Sequence, residues 1–178
     1  MKKQTIITLI ILGLIIIGVG YYTFVLVREK HSVNQNTMSV LSNEEDKVIY
    51  TDVAGNEVTL NDNIGKIVVI TLWASWSPFS SEELPRLNDL ASTFDKNQVV
   101  FVALNRKEPR HQAERLLNTL PNLEHLQVVI DQEDKYYAGV GGYAMPETII
   151  YDQKGELKLH IRGVSKSEEV KNTIEPLF

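Results

Sequence analysis

The stretch WASWSPFSSEELP, Trp73 to Pro85, joins two kinds of sequence. Upstream lies KIVVITLWA, Lys66 to Ala74, a continuous apolar and β-branched run of the kind that forms a strand buried on both faces. Downstream, Leu84, Leu87, Leu90 and Phe94 recur at steps of three and four and mark one buried stripe of a helix. The stretch is therefore a turn from strand to helix. Ser77 stands where an N-cap belongs, and Pro78 follows at the first helical position, where a missing N–H costs little. On that reading the Ser77 hydroxyl accepts from the N–H of Phe79 or Ser80. Pro85 falls inside the helix.

Working outward, QVVFVAL (98–104) reads as a second buried strand and EPRHQAERLLNTL (108–120) as a helix with Pro109 near its start. LQVVI (126–130) is a short strand and EDKYYAG (133–139) a short helix. PETIIYDQKGELKLHIRG (146–163) gives two strands joined across Asp152–Gly155, and SKSEEVKNTIEPLF (165–178) a closing helix capped by Ser165 or Ser167. On the amino side, VIYTD and EVTL flank VAGN, a hairpin with its turn near Gly55 and Asn56. Strand-helix-strand units impose parallel pairing and the late hairpin imposes antiparallel pairing. The expectation is an α/β domain over residues 47–178 with a mixed central sheet, helices on both faces and an N-terminal β-hairpin extension.

The chain has 178 residues and a net charge of −5, so it suits one domain plus a tail. The acidic balance argues against nucleic acid, whose binding rests on phosphate neutralisation. There is no cysteine, and His31, His111, His125 and His160 are scattered without ligand spacing. The sequence thus offers no thiol nucleophile and no metal site, and no cofactor is expected. Ser77 and Ser80 lack a nearby histidine in sequence, and no G-x-S-x-G occurs, which argues against a serine nucleophile. RKEPRH, Arg106 to His111, is a basic cluster at the end of the second buried strand. It reads as a solvated loop or as a site for an anionic ligand or acidic partner.

The first residues are a different material. After a short flank, 1–4, with Lys2 and Lys3, residues 5–27 carry no charge. As a helix they would span roughly 34 Å, enough to cross a bilayer core of about 30 Å. Tyr21 and Tyr22 fall near one end, where such rings favour the interface. The run is longer than the apolar core of a signal peptide, and no A-x-A-like cleavage site follows. The reading is an uncleaved single-pass membrane anchor, then a polar stalk over 28–46, then a domain on the extracytoplasmic side.

The element order and three motifs resemble the thioredoxin fold, and within it the membrane-anchored TlpA/ResA-like family, which includes the thioredoxins of cytochrome c maturation. That family's signature is W-A-x-W-C-x-x-C-x-x-E-x-P. Trp73, Ala74, Trp76, Glu83 and Pro85 fall in register, with Ser77 and Ser80 at both cysteine positions. The family's proline loop, G-x-P-E-T, is matched by Met145, Pro146, Glu147 and Thr148, with Ala144 for the usual glycine, and is followed by the D-x-x-G of Asp152 and Gly155. A D-x-x-G-x-x-V-x-L hairpin is matched by Asp52, Gly55, Val58 and Leu60.

The resemblance implies a cis Met145–Pro146 bond, a proton-relay position at Glu83 with no thiol to serve, and a shallow groove between the motif and the proline loop. Trp76, Pro78, Phe79, Ala144, Met145 and Pro146 would line that groove and pair with an extended polypeptide. Disulfide exchange needs one thiolate to attack and a second thiol to resolve the mixed disulfide; serine does neither. The implied function is a redox-inactive, membrane-anchored protein-binding or accessory module. Its partner would be an extracytoplasmic or membrane protein. The alternatives are a thiol-disulfide oxidoreductase seen as a Cys-to-Ser form, whether by natural loss or by substitution, and a purely structural domain with an unused groove.

Overall fold

Residues 67–73 are apolar or β-branched at every position, and all seven are buried. This strand, β3, can therefore only lie in the middle of a sheet. The computed structural model describes residues 18–22 and 49–178. In it β3 (Ile67–Trp73) lies between a parallel neighbour, β4 (Val99–Arg106), and an antiparallel one, β6 (Glu147–Tyr151). The other strands are β1 (Ile49–Asp52), β2 (Glu57–Thr59), β5 (Leu126–Asp131) and β7 (Leu157–Arg162). All seven form one mixed sheet in the order β2-β1-β5-β4-β3-β6-β7. The expected N-terminal hairpin is present. It joins the same sheet, β1 running antiparallel to β5.

The helices are α1 (Ser80–Ala91), α2 (Arg110–Leu117), α3 (Lys135–Gly139) and α4 (Ser167–Ile174), with short 3-10 turns at Leu60–Asn63 and Glu175–Leu177. The chain steps from β3 to β4 to β5 in one direction across the sheet. Right-handed crossovers then place α1 and α2 on one face. Side chains of β3 alternate accordingly. Ile67 and Val69 pack with Leu87 and Leu90 of α1 and with Val170 and Ile174 of α4. Trp73 packs with Leu84 of α1 and Ala113 of α2. Val68, Ile70 and Leu72 face the other way, onto Tyr136 and Val140 around α3. Phe94 lies beyond the end of α1 and stacks on Phe101, with ring centroids 6.0 Å apart.

Two turns of one design close the two hairpins. In the first, Asp52 and Asn56 pair through Asp52 N–H to Asn56 C=O, Gly55 N–H returns to Asp52 C=O, and Asn56 N–H donates to Asp52 Oδ1 at 2.8 Å. In the second, Asp152, Gly155 and Glu156 repeat each bond, with Glu156 N–H to Asp152 Oδ1 at 2.9 Å. Gly55 and Gly155 have φ of 90° and 78°, left-handed values that favour glycine.

The chain divides into two compact units, Met1–Gln35 and Asn36–Phe178. In the first, residues 18–22 are helical and exposed. The rest of the expected anchor, 5–27, and the stalk, 28–46, lie outside the described residues. Among the described residues no helix is long and apolar enough to cross a membrane.

Candidate functional site

The carboxyl end of β3 meets the amino end of β6, Leu72 lying opposite Glu147, and Glu147 in turn lies opposite Arg162 near the end of β7. Three connecting segments therefore converge at one end of the sheet: residues 74–80, 143–146 and 163–165.

The first segment turns tightly. Ser77 N–H donates to Ala74 C=O at 3.1 Å and Ser80 N–H to Ser77 C=O at 3.2 Å. The expected cap at Ser77 is not what forms. Helix α1 begins at Ser80, and Phe79 occupies the cap position in helical dihedrals without a side-chain bond. The tight turn buries Ser77 to 3% exposure and aims its hydroxyl across at the neighbouring loop, where it donates to Met145 C=O at 3.3 Å. Ser80 is fully buried, and its Oγ accepts from Ala74 N–H at 3.4 Å. Pro85 lies within α1.

The turn is also held from β4. Lys107 adopts a left-handed φ of 47°, a conformation that costs about 1 kcal/mol or more for a residue with a side chain. The chain doubles back there, and the Glu108 carboxylate comes to lie beneath the turn. It accepts from Ser75 N–H at 2.9 Å, Ser75 Oγ at 2.6 Å and the Asn105 side-chain amide.

The second segment contains the cis Met145–Pro146 peptide. Its polar groups are almost all engaged. Glu147, wholly buried, accepts from Tyr143 N–H at 2.7 Å and Ala144 N–H at 2.6 Å on one oxygen, and contacts His160 Nε2 at 2.5 Å with the other. Tyr137 donates its hydroxyl to Ala144 C=O at 3.3 Å, and Gly163 N–H donates to Pro146 C=O at 2.9 Å. The Tyr137 ring lies so close to Gly142 that a Cβ there would approach it to 2.4 Å, so any larger residue would have to displace the ring. Among the described residues the Met145 N–H has no acceptor.

Glu83 sits in the floor. It is 1% exposed, bonded to Arg86 at 2.5 Å, and its other oxygen accepts from Ser165 N–H at 3.2 Å and Ser165 Oγ at 2.6 Å. Ser165 and Ser167 therefore do not cap α4. Lys166 holds the cap position without a side-chain bond, and Arg86 bonds both serine hydroxyls.

Placed on this frame, Trp76, Pro78 and Phe79 are exposed, Ala144 and Met145 are half-buried, and Pro146 is buried. Trp73 is fully buried in the core, its Nε1 without a partner among the described residues. Exposure reaches 62% for Trp76, 53% for Phe79, 76% for Tyr143 and 51% for Val164, so four large apolar side chains surround the turn and the Pro146 loop. Tyr143 and Val164 had no pattern signal, each standing alone in a loop.

The basic cluster at 106–111 is largely neutralised from within. Arg106 pairs with Asp134 and stacks 3.5 Å from the Tyr137 ring centroid; its own burial opposes its charge, and the Asp134 carboxylate more than offsets that and raises its pKa. Arg110 pairs with Glu114 at 2.6 Å. Among the described residues no group of three or more His, Asp and Glu side chains is placed to hold a metal ion.

Comparison with known proteins agrees with this architecture. The thiol-disulfide oxidoreductase ResA of Geobacillus thermodenitrificans is 27% identical over 183 residues, covering 99% of each chain. The thiol:disulfide interchange protein DsbE of Tatumella citrea is 33% identical over 114 residues, 64% of this chain and 59% of that protein. Among solved structures, MTB DsbF in its mixed oxidised and reduced forms superposes with a TM-score of 0.66 at 20% identity, covering 74% of this chain and 96% of that one. The model of the AhpC/TSA family matches residues 41–160, a span that takes in both hairpin turns, the Trp73–Pro85 turn and the Pro146 loop, and the chain thus belongs to the AhpC/TSA family.

Proposed function

We propose that this protein is a redox-inactive, membrane-anchored module that holds an extended polypeptide in the groove between Trp76–Phe79 and Ala144–Pro146. The observation that supports the reading is the exposed Trp76 and Phe79 on a turn bonded to the cis-proline loop, whose Met145 N–H has no acceptor among the described residues, in a chain without a single cysteine. Ser77 and Ser80 stand at the two positions where the resemblance expects the redox pair. A hydroxyl there neither attacks a disulfide nor resolves a mixed one. Strand addition needs no sulfur: it needs main-chain groups and apolar grip.

The groove is shallow. Burying about 200 Å² of apolar surface yields roughly 5 kcal/mol gross, and association costs of at least about 4 kcal/mol consume most of it. Affinity for a free peptide is then weak, between millimolar and tens of micromolar. Confinement by the uncharged run 5–27 would raise the effective concentration of a membrane-bound partner. An extracytoplasmic or membrane protein is therefore the expected client.

The test has two parts. Purified protein should give no insulin disulfide reduction; turnover that scales with its concentration would contradict the reading. In cells, the chain should resist alkaline carbonate extraction, and its domain should be cut by protease added to intact protoplasts. Complete protection, with permeabilised controls cut, would contradict the orientation.

The names of the ResA and DsbE relatives favour a second reading, a thiol-disulfide oxidoreductase present here as a Cys-to-Ser form. It predicts that Ser77→Cys with Ser80→Cys turns over insulin, while the polypeptide as it stands captures no client.

A further inference from the structure

The groove has a charged end. Arg162 lies opposite Glu147 in the β6–β7 register, yet the two do not pair. The Glu147 carboxylate is already occupied by Tyr143 N–H, Ala144 N–H and His160 Nε2, and it is buried beneath the loop. The Arg162 guanidinium instead stands exposed over the Tyr143 ring, 4.9 Å from its centroid. Lys166 follows, also exposed, with Val164 between them. Among the described residues neither cation makes an ion pair. The carboxylates nearest in sequence, Glu168 and Glu169, lie in the first turn of α4, where a helix favours negative charge, and bond to neither. The chain as a whole carries 23 acidic residues against 18 basic ones, so this exposed positive end differs in sign from the rest of the molecule.

An arginine held over an aromatic ring is restrained by it, and its N–H donors stay free for a planar acceptor. A carboxylate fits the guanidinium in a bidentate manner. The Gly163 N–H bond to Pro146 C=O ties this end directly to the cis-proline loop. A segment lying beside Met145 would therefore pass its next side chains toward Tyr143 and Arg162.

We propose that the groove selects a polypeptide segment carrying an aspartate or glutamate side chain, received by Arg162 and Lys166 beside the apolar wall of Trp76, Phe79, Tyr143 and Val164. This rests on the groove reading above and adds the chemical class of its occupant.

The test uses the full-length chain in detergent micelles and fluorescein-labelled peptides with both ends blocked and no cysteine. Each has one central phenylalanine, and glutamate, glutamine or lysine is moved through the four positions on either side. Anisotropy titration should show one position where glutamate binds about threefold tighter than glutamine, the size of one exposed ion pair, and lysine weaker than both. Arg162→Gln should abolish the preference for glutamate and leave the glutamine peptide's affinity unchanged. Lys154→Gln, which removes an exposed lysine at the other end of β6, should keep the preference and so exclude a general effect of net charge. Equal binding of glutamate and glutamine peptides at every position overturns acid selection, and a preference that survives Arg162→Gln overturns its assignment to the Arg162 end; both leave the groove reading in place. Failure of every peptide to bind, with Trp76→Ala making no difference, overturns the groove reading itself and this inference with it.

Discussion

Ser77 donates its hydroxyl to the main-chain carbonyl of Met145 across 3.3 Å, joining the Trp76–Phe79 turn to the cis-proline loop. The bond occupies one lone pair of a carbonyl that an incoming strand would also address. Its neighbour, the Met145 N–H, has no acceptor among the described residues. A long neutral hydrogen bond of this kind contributes about 1 kcal/mol or less. Ser77→Ala should lower stability by no more than that in urea unfolding. It should also strengthen peptide binding by a small factor, because the carbonyl is released. Weaker binding would show that the contact organises the groove and does not compete for it.

Sulfur introduced at both positions should form a redox pair. Ser77 and Ser80 are joined by a tight turn, and α1 begins at Ser80, so a thiolate at position 77 would sit before a helix N-terminus. Ser77→Cys with Ser80→Cys should lose two hydrogens on mild oxidation, seen by mass spectrometry of the intact chain. A double variant that stays a dithiol would show that the turn no longer admits disulfide geometry.

The Glu83–Arg86–Ser165 cluster serves the fold of the site. Glu83 is 1% exposed and spends both oxygens on three donors, while the Arg86 side chain reaches solvent at 31%. Removing the carboxylate leaves Ser165 N–H and part of a guanidinium without partners. Glu83→Ala should therefore cost about 2–3 kcal/mol, less than the loss of a fully buried pair. Denaturant titration measures it. A change below about 0.5 kcal/mol would mean that water replaces the carboxylate.

How much of this was legible in the sequence depends on the range of the interaction. The all-apolar run 67–73 can only be a central strand, and Leu84, Leu87 and Leu90 can only share a helix face, so the sheet and α1 follow from local pattern. The Asp52 and Asp152 turns are also local, closing on residues four apart. The caps differ from the local expectation because a serine hydroxyl has several acceptors and donors within reach, and the winner is set by tertiary contact. Ser77 meets Met145 from 68 residues away, and Ser165 meets Glu83 from 82. The same limit hid Glu108 under the motif turn and the Glu147–His160 pair behind the proline loop. A carboxylate at the head of the wholly buried strand ETIIY is the signal that could have found the latter, since it must be paired.

The second hairpin turn should give the fold an acid-sensitive element. Burial pushes the Asp152 carboxyl up, but Lys158 and the N–H groups of Glu156 and Lys154 outweigh it and hold its pKa below the ordinary 3.8. A carboxylate with a lowered folded value stabilises the fold above its unfolded value and loses that contribution as pH falls through the folded one. The stability gap between the wild type and Asp152→Asn should be full at pH 6 and shrink below about pH 4, in urea unfolding at fixed ionic strength. A gap constant down to pH 2 would contradict this assignment.

The proposed role of the sulfur-free groove is to hold a polypeptide. Its most direct measurement is site-specific photocrosslinking in cells, with the photoreactive residue at Phe79 or Met145, and at Lys171 on α4 as the reference, followed by mass spectrometry of the adducts. A defined partner protein should be captured from Phe79 or Met145, absent from Lys171 and lost in the Trp76→Ala background. Equal capture from all three positions, or none from the groove, would contradict it.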